Sequence, residues 1–403
     1  MMNEAAPVRP RAILLLCAVV AIIEGFDLQA AGVAAPRLAP ALGLTPGQLG
    51  LFFSAATFGL IFGALAGGRI ADLYGRKAGL VISLTLFGLF SILTAFAYSF
   101  ETLFAARFLT GVGLGGALPN LVAIAAESSG PERRASAVST MYAGMPAGGA
   151  VAAMVSMAGL HGDWHTIFIV GGAAPLLVVP LLLAFLPRLR VAPDQSESQG
   201  ARRAVTVLFG DGNGARTLLL WAGFFFSLLV LYLLLNWLPA LLVTRGLTPG
   251  EAGAVQIALN LAGALASLAA GRAMDRSDRP ATVAIAFAAL LAALAYLGLM
   301  PASVGFAIAG GAFVGAAIIA VQAILYGLAP TFYPAALRGT GVGAAVAAGR
   351  LGSVAGPLLA GVLVAGGRSP VQVLMALIPI ALAGGIATFL LVRMPRVEEI
   401  GGR

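Results

Sequence analysis

Gly68-Arg69-Ile70-Ala71-Asp72-Leu73-Tyr74-Gly75-Arg76-Lys77 stands between two long apolar runs, and a degenerate copy returns 203 residues later as Gly271, Arg272, Asp275 and Arg279. Pro131 returns as Pro334 at the same offset. A charged loop repeated at a fixed distance marks two copies of one unit. If each unit holds six membrane crossings, an even number, both copies run in the same sense and an axis along the membrane normal relates them.

The flanking sequence supplies those crossings. The chain has 403 residues, of which 60% are hydrophobic and 10% charged, with a mean hydropathy of +0.98. These values lie outside the soluble globular range. A span needs about twenty apolar residues in helical form, and the run from Ala78 to Phe100 provides one without an acidic or basic group. The alternating pattern of a membrane β-barrel is missing. The expected fold is an all-α membrane protein with twelve transmembrane helices in two six-helix pseudo-symmetric bundles. The helices are expected near 12–35, 47–69, 78–99, 102–126, 135–159 and 164–186, then 217–243, 250–272, 280–300, 303–329, 339–365 and 370–393. Residues 1–187 form the first bundle, 188–216 a polar cytoplasmic linker, and 217–403 the second bundle.

The net charge of +8 comes from residues scattered through short loops, without the aromatic-basic patch that nucleic acid would need. It is read instead as topology. With the N-terminus inside, Arg9, Arg11, Arg69, Arg76, Lys77, Arg133, Arg134 and the basic linker all fall on the cytoplasmic side, while Arg37, Arg245 and Arg368 fall outside. Both termini are then cytoplasmic. Arg9 and Arg11 before an apolar run resemble a signal peptide, but the run continues to about Ala35 and carries Glu24 and Asp27, so it reads as a first transmembrane helix. The lone Cys17 cannot form an internal disulfide, and His161 and His165 make no metal constellation.

Five constellations carry chemistry. In the opening decapeptide, Gly68 is expected to allow close helix packing and Asp72 to sit at a helix end. Gly75 permits a tight turn that presents Arg76 and Lys77. The cluster can latch one access state, with Asp275 as its copy; the bland alternative is a positive-inside anchor. Glu127, ending helix 4, is assigned to the same gating network with Asp72, Arg76 and Arg134. Helix 1 carries Glu24-Gly25-Phe26-Asp27, two carboxylates three residues apart on one helix face near the membrane middle. Burial and mutual repulsion suit such a pair to holding and releasing a proton; a structural salt bridge with Arg107 or Arg350 is the alternative. Arg107 begins a glycine-rich stretch with Gly111, Gly113, Gly115 and Gly116, and must face a cavity or a carboxylate unless it snorkels outward. Gly144, Pro146, Gly148 and Gly149 suggest close packing and a bend in helix 5. Arg350, about three turns into helix 11, is a candidate site for an anion.

These stretches resemble the major facilitator superfamily: the decapeptide is similar to its signature, and the stretches from Arg107 and from Gly144 to its fourth- and fifth-helix patterns. Gly25-Phe26-Asp27-Leu28-Gln29-Ala30-Ala31-Gly32-Val33-Ala34-Ala35 and Thr110-Gly111-Val112-Gly113-Leu114-Gly115-Gly116-Ala117-Leu118-Pro119-Asn120 narrow the resemblance to its aromatic acid/proton symporters. Among those it is most similar to bacterial carriers of (3-hydroxyphenyl)propionate. The resemblance implies that Glu24, Asp27, Arg107 and Asp72 are needed for transport. The family's acidic pair often reads Asp-Gly-x-Asp, and Glu24 departs from it by one methylene. In the resembled fold helices 1, 4, 7 and 10 line the cavity, which raises Tyr232, Asn236, Trp237, Gln322 and Tyr326, while helix 8 adds Gln256 and Asn260.

The expected function is proton-coupled uptake of an aromatic carboxylate such as (3-hydroxyphenyl)propionate or a hydroxybenzoate, by alternating access across a bacterial inner membrane. Arg107 or Arg350 would bind the carboxylate, Glu24 and Asp27 the proton, and Tyr232, Trp237 and Tyr326 the ring. No cofactor, metal or nucleic acid is expected; the proton gradient supplies the energy and the monomer is the working unit. The rivals are proton-driven efflux of drugs or metabolites, which would leave the two arginines without a role in recognition, and a membrane enzyme, which would need a nucleophile or metal set that the sequence lacks.

Overall fold

A computed structural model describes residues 10–128, 141, 144–158, 163–186, 208–210, 213–276, 279–333 and 338–394. The chain divides into two compact units, Met1–Pro193 and Asp194–Arg403. The first contains α1 (Pro10–Ala41), α2 (Pro46–Tyr74), α3 (Arg76–Ala95), α4 (Phe100–Glu127), α5 (Gly144–Ala158) and α6 (His165–Phe185). The second contains α7 (Gly214–Thr244), α8 (Pro249–Arg276), α9 (Arg279–Leu299), α10 (Val304–Leu328), α11 (Arg338–Ala365) and α12 (Pro370–Val392), with a 3-10 turn Ala329–Phe332 after α10. Eleven of these helices are long and apolar enough to cross a membrane, and α5 is a shorter apolar helix over its described length. Large side chains such as Leu65, Leu177, Leu265 and Ile285 are exposed. On a membrane-spanning helix such a surface is solvated by lipid.

Several helices outrun their expected ends. The first helix was expected to stop near residue 35 but continues through Pro36 and Pro40; Leu38 is fully buried, and that packing outweighs the lost backbone hydrogen bonds. α2 runs to Tyr74, so most of the opening decapeptide is helical and Gly75 alone makes the turn, with φ +89°. α7 starts at Gly214 and takes Arg216 into its first turn, shortening the linker from that side. Residues 187–207 lie outside the described part.

Both units use the same pairing scheme: α1 packs on α5, α2 on α4 and α3 on α6, as α7 packs on α11, α8 on α10 and α9 on α12. Glycine makes the approach close. A Cβ on Gly63 would overlap the Val112 carbonyl oxygen, one on Gly115 that of Leu60, and one on Gly315 that of Leu259. Without side chains in the way, helices in lipid gain dispersion contacts backbone to backbone. Gly68 was expected to take part, but a Cβ there would meet nothing within 4 Å; Gly67, next to it, packs against Gly116 instead. Gly59, Gly63 and Gly67 share a stripe at four-residue spacing, and Gly68 lies about 100° around the helix from it.

The turns repeat as well. Gly43-Leu44-Thr45-Pro46-Gly47 and Gly246-Leu247-Thr248-Pro249-Gly250 are identical and 203 residues apart. Gly43 and Gly246 both take positive φ, +60° and +100°. Thr45 then shares a capping box with Gln48, and Thr248 bonds Glu251 in the same way.

Candidate functional site

α1 is held in rotation by its backbone contact with α5. A Cβ on Gly25 would overlap the Met145 carbonyl, and one on Gly148 that of Ile22. With that face fixed, Asp27 is fully buried, at 0% exposure, and meets Arg107 of α4 at 1%. Arg107 Nη1 donates to Asp27 Oδ1 at 3.0 Å and to Oδ2 at 2.9 Å, while Nη2 donates to the Asp27 backbone oxygen at 3.2 Å. Ser91 Oγ from α3 donates to Asp27 Oδ1 at 2.9 Å. The guanidinium carbon of Arg107 lies 5.6 Å from the centre of the Phe168 ring on α6. Glu24, one helical turn before Asp27, is buried too.

Three helices thus meet at one carboxylate, and α6 backs the arginine that holds it. An intramembrane ion pair is tolerated when both charges are matched and hydrogen-bonded, and removing one partner leaves a buried charge that costs about 3–5 kcal/mol. A proton on Asp27 would remove the charge that matches Arg107, as deleting the carboxylate would. Ser91 and Phe168 were not singled out from sequence. α3 also carries Ser83, Thr85 and Thr94, and nothing in the pattern of hydroxyls distinguishes the one that faces Asp27.

The second unit holds a different arrangement. Arg350 of α11 is half-buried, and its Nη1 donates to the Tyr232 hydroxyl of α7 at 2.9 Å. Tyr326 of α10 feels the charge of Arg350 and the neighbouring Tyr232, and it meets the Phe224 ring edge-on at 5.1 Å. One turn before Tyr326, Gln322 is 6% exposed, and neither its amide nitrogen nor its oxygen has a hydrogen-bond partner within the described residues. Asn236 donates to the Tyr232 carbonyl at 2.8 Å, within its own helix. The Trp237 indole N–H donates to the Pro357 carbonyl at 3.0 Å, tying α7 to α11. Its polar end is thereby engaged with protein in this conformation. Gln256 and Asn260 are buried on α8, where Asn260 donates to the Gln256 carbonyl.

Of the gating residues, Asp72 is exposed on the last turn of α2 and Arg76 half-buried at the start of α3. Lys77 Nζ donates to the Leu183 and Leu186 carbonyls at 2.7 Å each, capping the C-terminal end of α6. Arg134 and the side chains of Glu127 and Asp275 lie outside the described residues. The groove between α9 and α12, lined by Val283, Phe287, Leu291, Leu382, Ile386 and Phe389, is apolar and offers nothing to an ionised substrate.

Comparison with known proteins agrees with this architecture. The family model of the Major Facilitator Superfamily matches residues 17–357 and 220–402. The chain is 47% identical to the 3-(3-hydroxy-phenyl)propionate transporter of Escherichia coli (strain K12), over 95% of this chain and 94% of that one. It is 35% identical to the 4-hydroxybenzoate transporter PcaK of Pseudomonas aeruginosa, over 92% and 90% respectively. The crystal structure of the nucleoside transporter NupG has the same fold, with a TM-score of 0.80 at 13% identity, over 95% of this chain and all of that one. By motif, by helix pairing and by relatedness over nearly its whole length, this chain belongs to the major facilitator superfamily.

Proposed function

We propose that this protein carries an aromatic carboxylate, such as (3-hydroxyphenyl)propionate or a hydroxybenzoate, into the cell together with a proton, and that it is a transporter and not an enzyme. The observation that carries the reading is the Asp27–Arg107 pair, a fully buried carboxylate held by one guanidinium and one hydroxyl. Proton uptake at Asp27 and anion uptake at an arginine offset each other in charge, so the loaded carrier moves little net charge through the bilayer.

The two relatives carry hydroxylated aromatic acids in their names, which supports the substrate class. The contrast between the two arginines supports a division of labour. Arg107 is spent on Asp27, so it serves the proton; Arg350, half-buried and braced by Tyr232, takes the substrate carboxylate. Tyr326 and Gln322 then face the ring and its hydroxyl, the buried amide of Gln322 gaining the hydrogen bonds it lacks. Asn236 and Trp237 shape α7 behind Tyr232. The excess of Arg and Lys on one side supports an inner-membrane orientation with both termini in the cytoplasm. Gly68, Asp72, Gly75, Arg76, Lys77, Glu127 and Arg134 of the first unit, and Asp275 of the second, are assigned to gating. The proton gradient is the sole energy source, no cofactor is used, and a single chain suffices.

Uptake of labelled (3-hydroxyphenyl)propionate or 4-hydroxybenzoate into vesicles containing the purified chain tests this. An imposed gradient, acid outside, is expected to drive accumulation above equilibrium. Equal uptake with and without the gradient would remove the proton from the mechanism, and no uptake of either acid would remove the substrate class.

A further inference from the structure

Ser91 is fully buried on α3 and has two acceptors within reach. Its Oγ donates to Asp27 Oδ1 at 2.9 Å, and the Phe168 carbonyl oxygen of α6 lies 3.4 Å away. A hydroxyl has one proton to donate and can also accept. It is held at this place by helix contacts with little slack. A Cβ on Gly88, one turn earlier, would lie 2.8 Å from the Gly172 carbonyl oxygen, and one on Gly171 would come 3.5 Å from Ser91 Oγ itself.

We propose that Ser91 is a positioning residue of the proton switch, donating to Asp27 while that carboxylate is ionised and turning to the Phe168 carbonyl when Asp27 takes up its proton. This rests on Asp27 being the proton carrier. The hydrogen bonds of Ser91 balance in both states. With Asp27 ionised, Oδ1 accepts from Ser91 and from Arg107. With Asp27 protonated, its new O–H donates to Ser91 Oγ, and the Ser91 O–H, its own bond intact, turns to donate to the Phe168 carbonyl oxygen. Arg107 keeps its hydrogen bonds to the neutral carboxyl but loses the opposite charge. Ser91 thus donates to one form of Asp27 and accepts from the other, and its contribution is read in the pH profile of uptake.

The charged groups around Asp27 are few. α4 contributes Arg107, with Glu101 and Glu127 at its two ends; α1 itself contributes Glu24 one turn away, with Arg11 and Arg37 towards its ends. α2 carries only Arg69 and Asp72, near its C-terminal end, α3 only Arg76 and Lys77 in its first turn, α5 none, and α6 only His165 at its start. Ser91 is the neutral donor among them.

The test is the pH profile of gradient-driven uptake of labelled 4-hydroxybenzoate or (3-hydroxyphenyl)propionate, measured with the full chain in vesicles, beside gradient-free exchange. Ser91→Ala is expected to move the midpoint by about half to one pH unit. Ser91→Thr, which keeps the hydroxyl, should leave it in place, and Ser91→Cys, a weaker donor, should fall between. An unmoved Ser91→Ala midpoint overturns the proposal, as does a Ser91→Thr shift as large as that of Ser91→Ala, which would make packing the cause. If Ser91→Ala does not fold, the Thr and Cys variants decide alone: coincident midpoints overturn it. Wild-type uptake indifferent to the gradient would instead bring down the proton reading beneath it.

Discussion

At the 203-residue offset, Asp27 and Arg107 of the first unit correspond to Val230 and Gly310 of the second, while Tyr232 and Arg350 of the second correspond to Gln29 and Ala147 of the first. The scaffold around them is nearly the same. Both units pair their helices alike, and both make their first hairpin with the same pentapeptide and a glycine at positive φ. The charges, however, are laid out differently. The first unit encloses a complete ion pair; the second presents a half-buried cation braced by a phenol. A duplicated frame has kept what backbone packing demands and has changed the few polar side chains that lipid makes expensive. A matched ion pair in one unit and a phenol-bonded arginine in the other are what the two copies do not share.

The largest expected effect comes from breaking the enclosed pair. Asp27→Asn or Arg107→Gln should abolish accumulation against a gradient and lower stability by about 3–5 kcal/mol, because each leaves one buried charge unmatched. The double variant Asp27→Leu with Arg107→Met separates the two roles. It should recover most of the stability, read as the thermal unfolding midpoint in detergent, while accumulation stays lost. If the double variant transports, the pair is structural and the contrast between the units loses its functional meaning.

Next in size is the half-buried cation. Arg350→Gln should raise the substrate concentration for half-maximal uptake by roughly 10- to 100-fold, the worth of one charge-assisted hydrogen bond. Its stability loss should be far smaller than that of Asp27→Asn, since the hydrogen-bond partner left behind in Tyr232 is a neutral phenol and not a buried charge. A shift of the uptake pH profile with unchanged affinity for substrate would exchange the roles of the two arginines.

Much of this was legible from residue types alone. The helices were readable because each is an apolar run bounded by Gly, Pro or charge, and the repeat because Gly68-Arg69 and Gly271-Arg272 share a spacing. Arg107 and Asp27 stood out because a charge in an apolar helix is rare. Their partnership did not, since they lie 80 residues apart and Arg350 was an equal claimant for the same carboxylates. Ser91 was invisible among the hydroxyls of α3, as many of them simply bond a carbonyl of their own helix, as Thr85 and Thr94 do. Gly67 and Gly68 could not be told apart without the rotation of α2. The end of α1 was misjudged because proline was weighed by its local penalty, whereas the burial of Leu38 decided it.

A smaller effect probes what the units share. Gly43→Ala and Gly246→Ala each force a side chain into left-handed backbone, costing about 1–2 kcal/mol. Neither meets a neighbouring atom within 4 Å, so the loss is conformational and should be of similar size in the two units, read as the drop in unfolding midpoint. Unequal losses, with one variant silent, would show that the identical turns are not mechanically equivalent.

The smallest effect should appear at the N-termini of the last helices, where the units differ again. α12 starts with a neutral capping box, Ser369 with Gln372. α6 starts instead beneath Asp163, which accepts from the His165 backbone N–H at 2.9 Å and from the Thr166 hydroxyl at 3.3 Å, and also contacts the His165 ring. The His165 backbone N–H, foremost, holds the Asp163 carboxyl below its ordinary 3.8. A depressed carboxyl stabilises the folded form above the unfolded value and loses that contribution as pH falls through the folded one. Acidification below about pH 4 should therefore loosen the first turn of α6 and spare that of α12. Hydrogen exchange of the two first turns, followed from pH 6 down to pH 3 and corrected for intrinsic rates, reads this directly. Asp163→Asn should flatten the difference, because an amide keeps an acceptor without titrating. If the two turns lose protection together, the acid-sensitive element lies elsewhere, and the exposed carboxylate contributes no more to its helix than a neutral cap does.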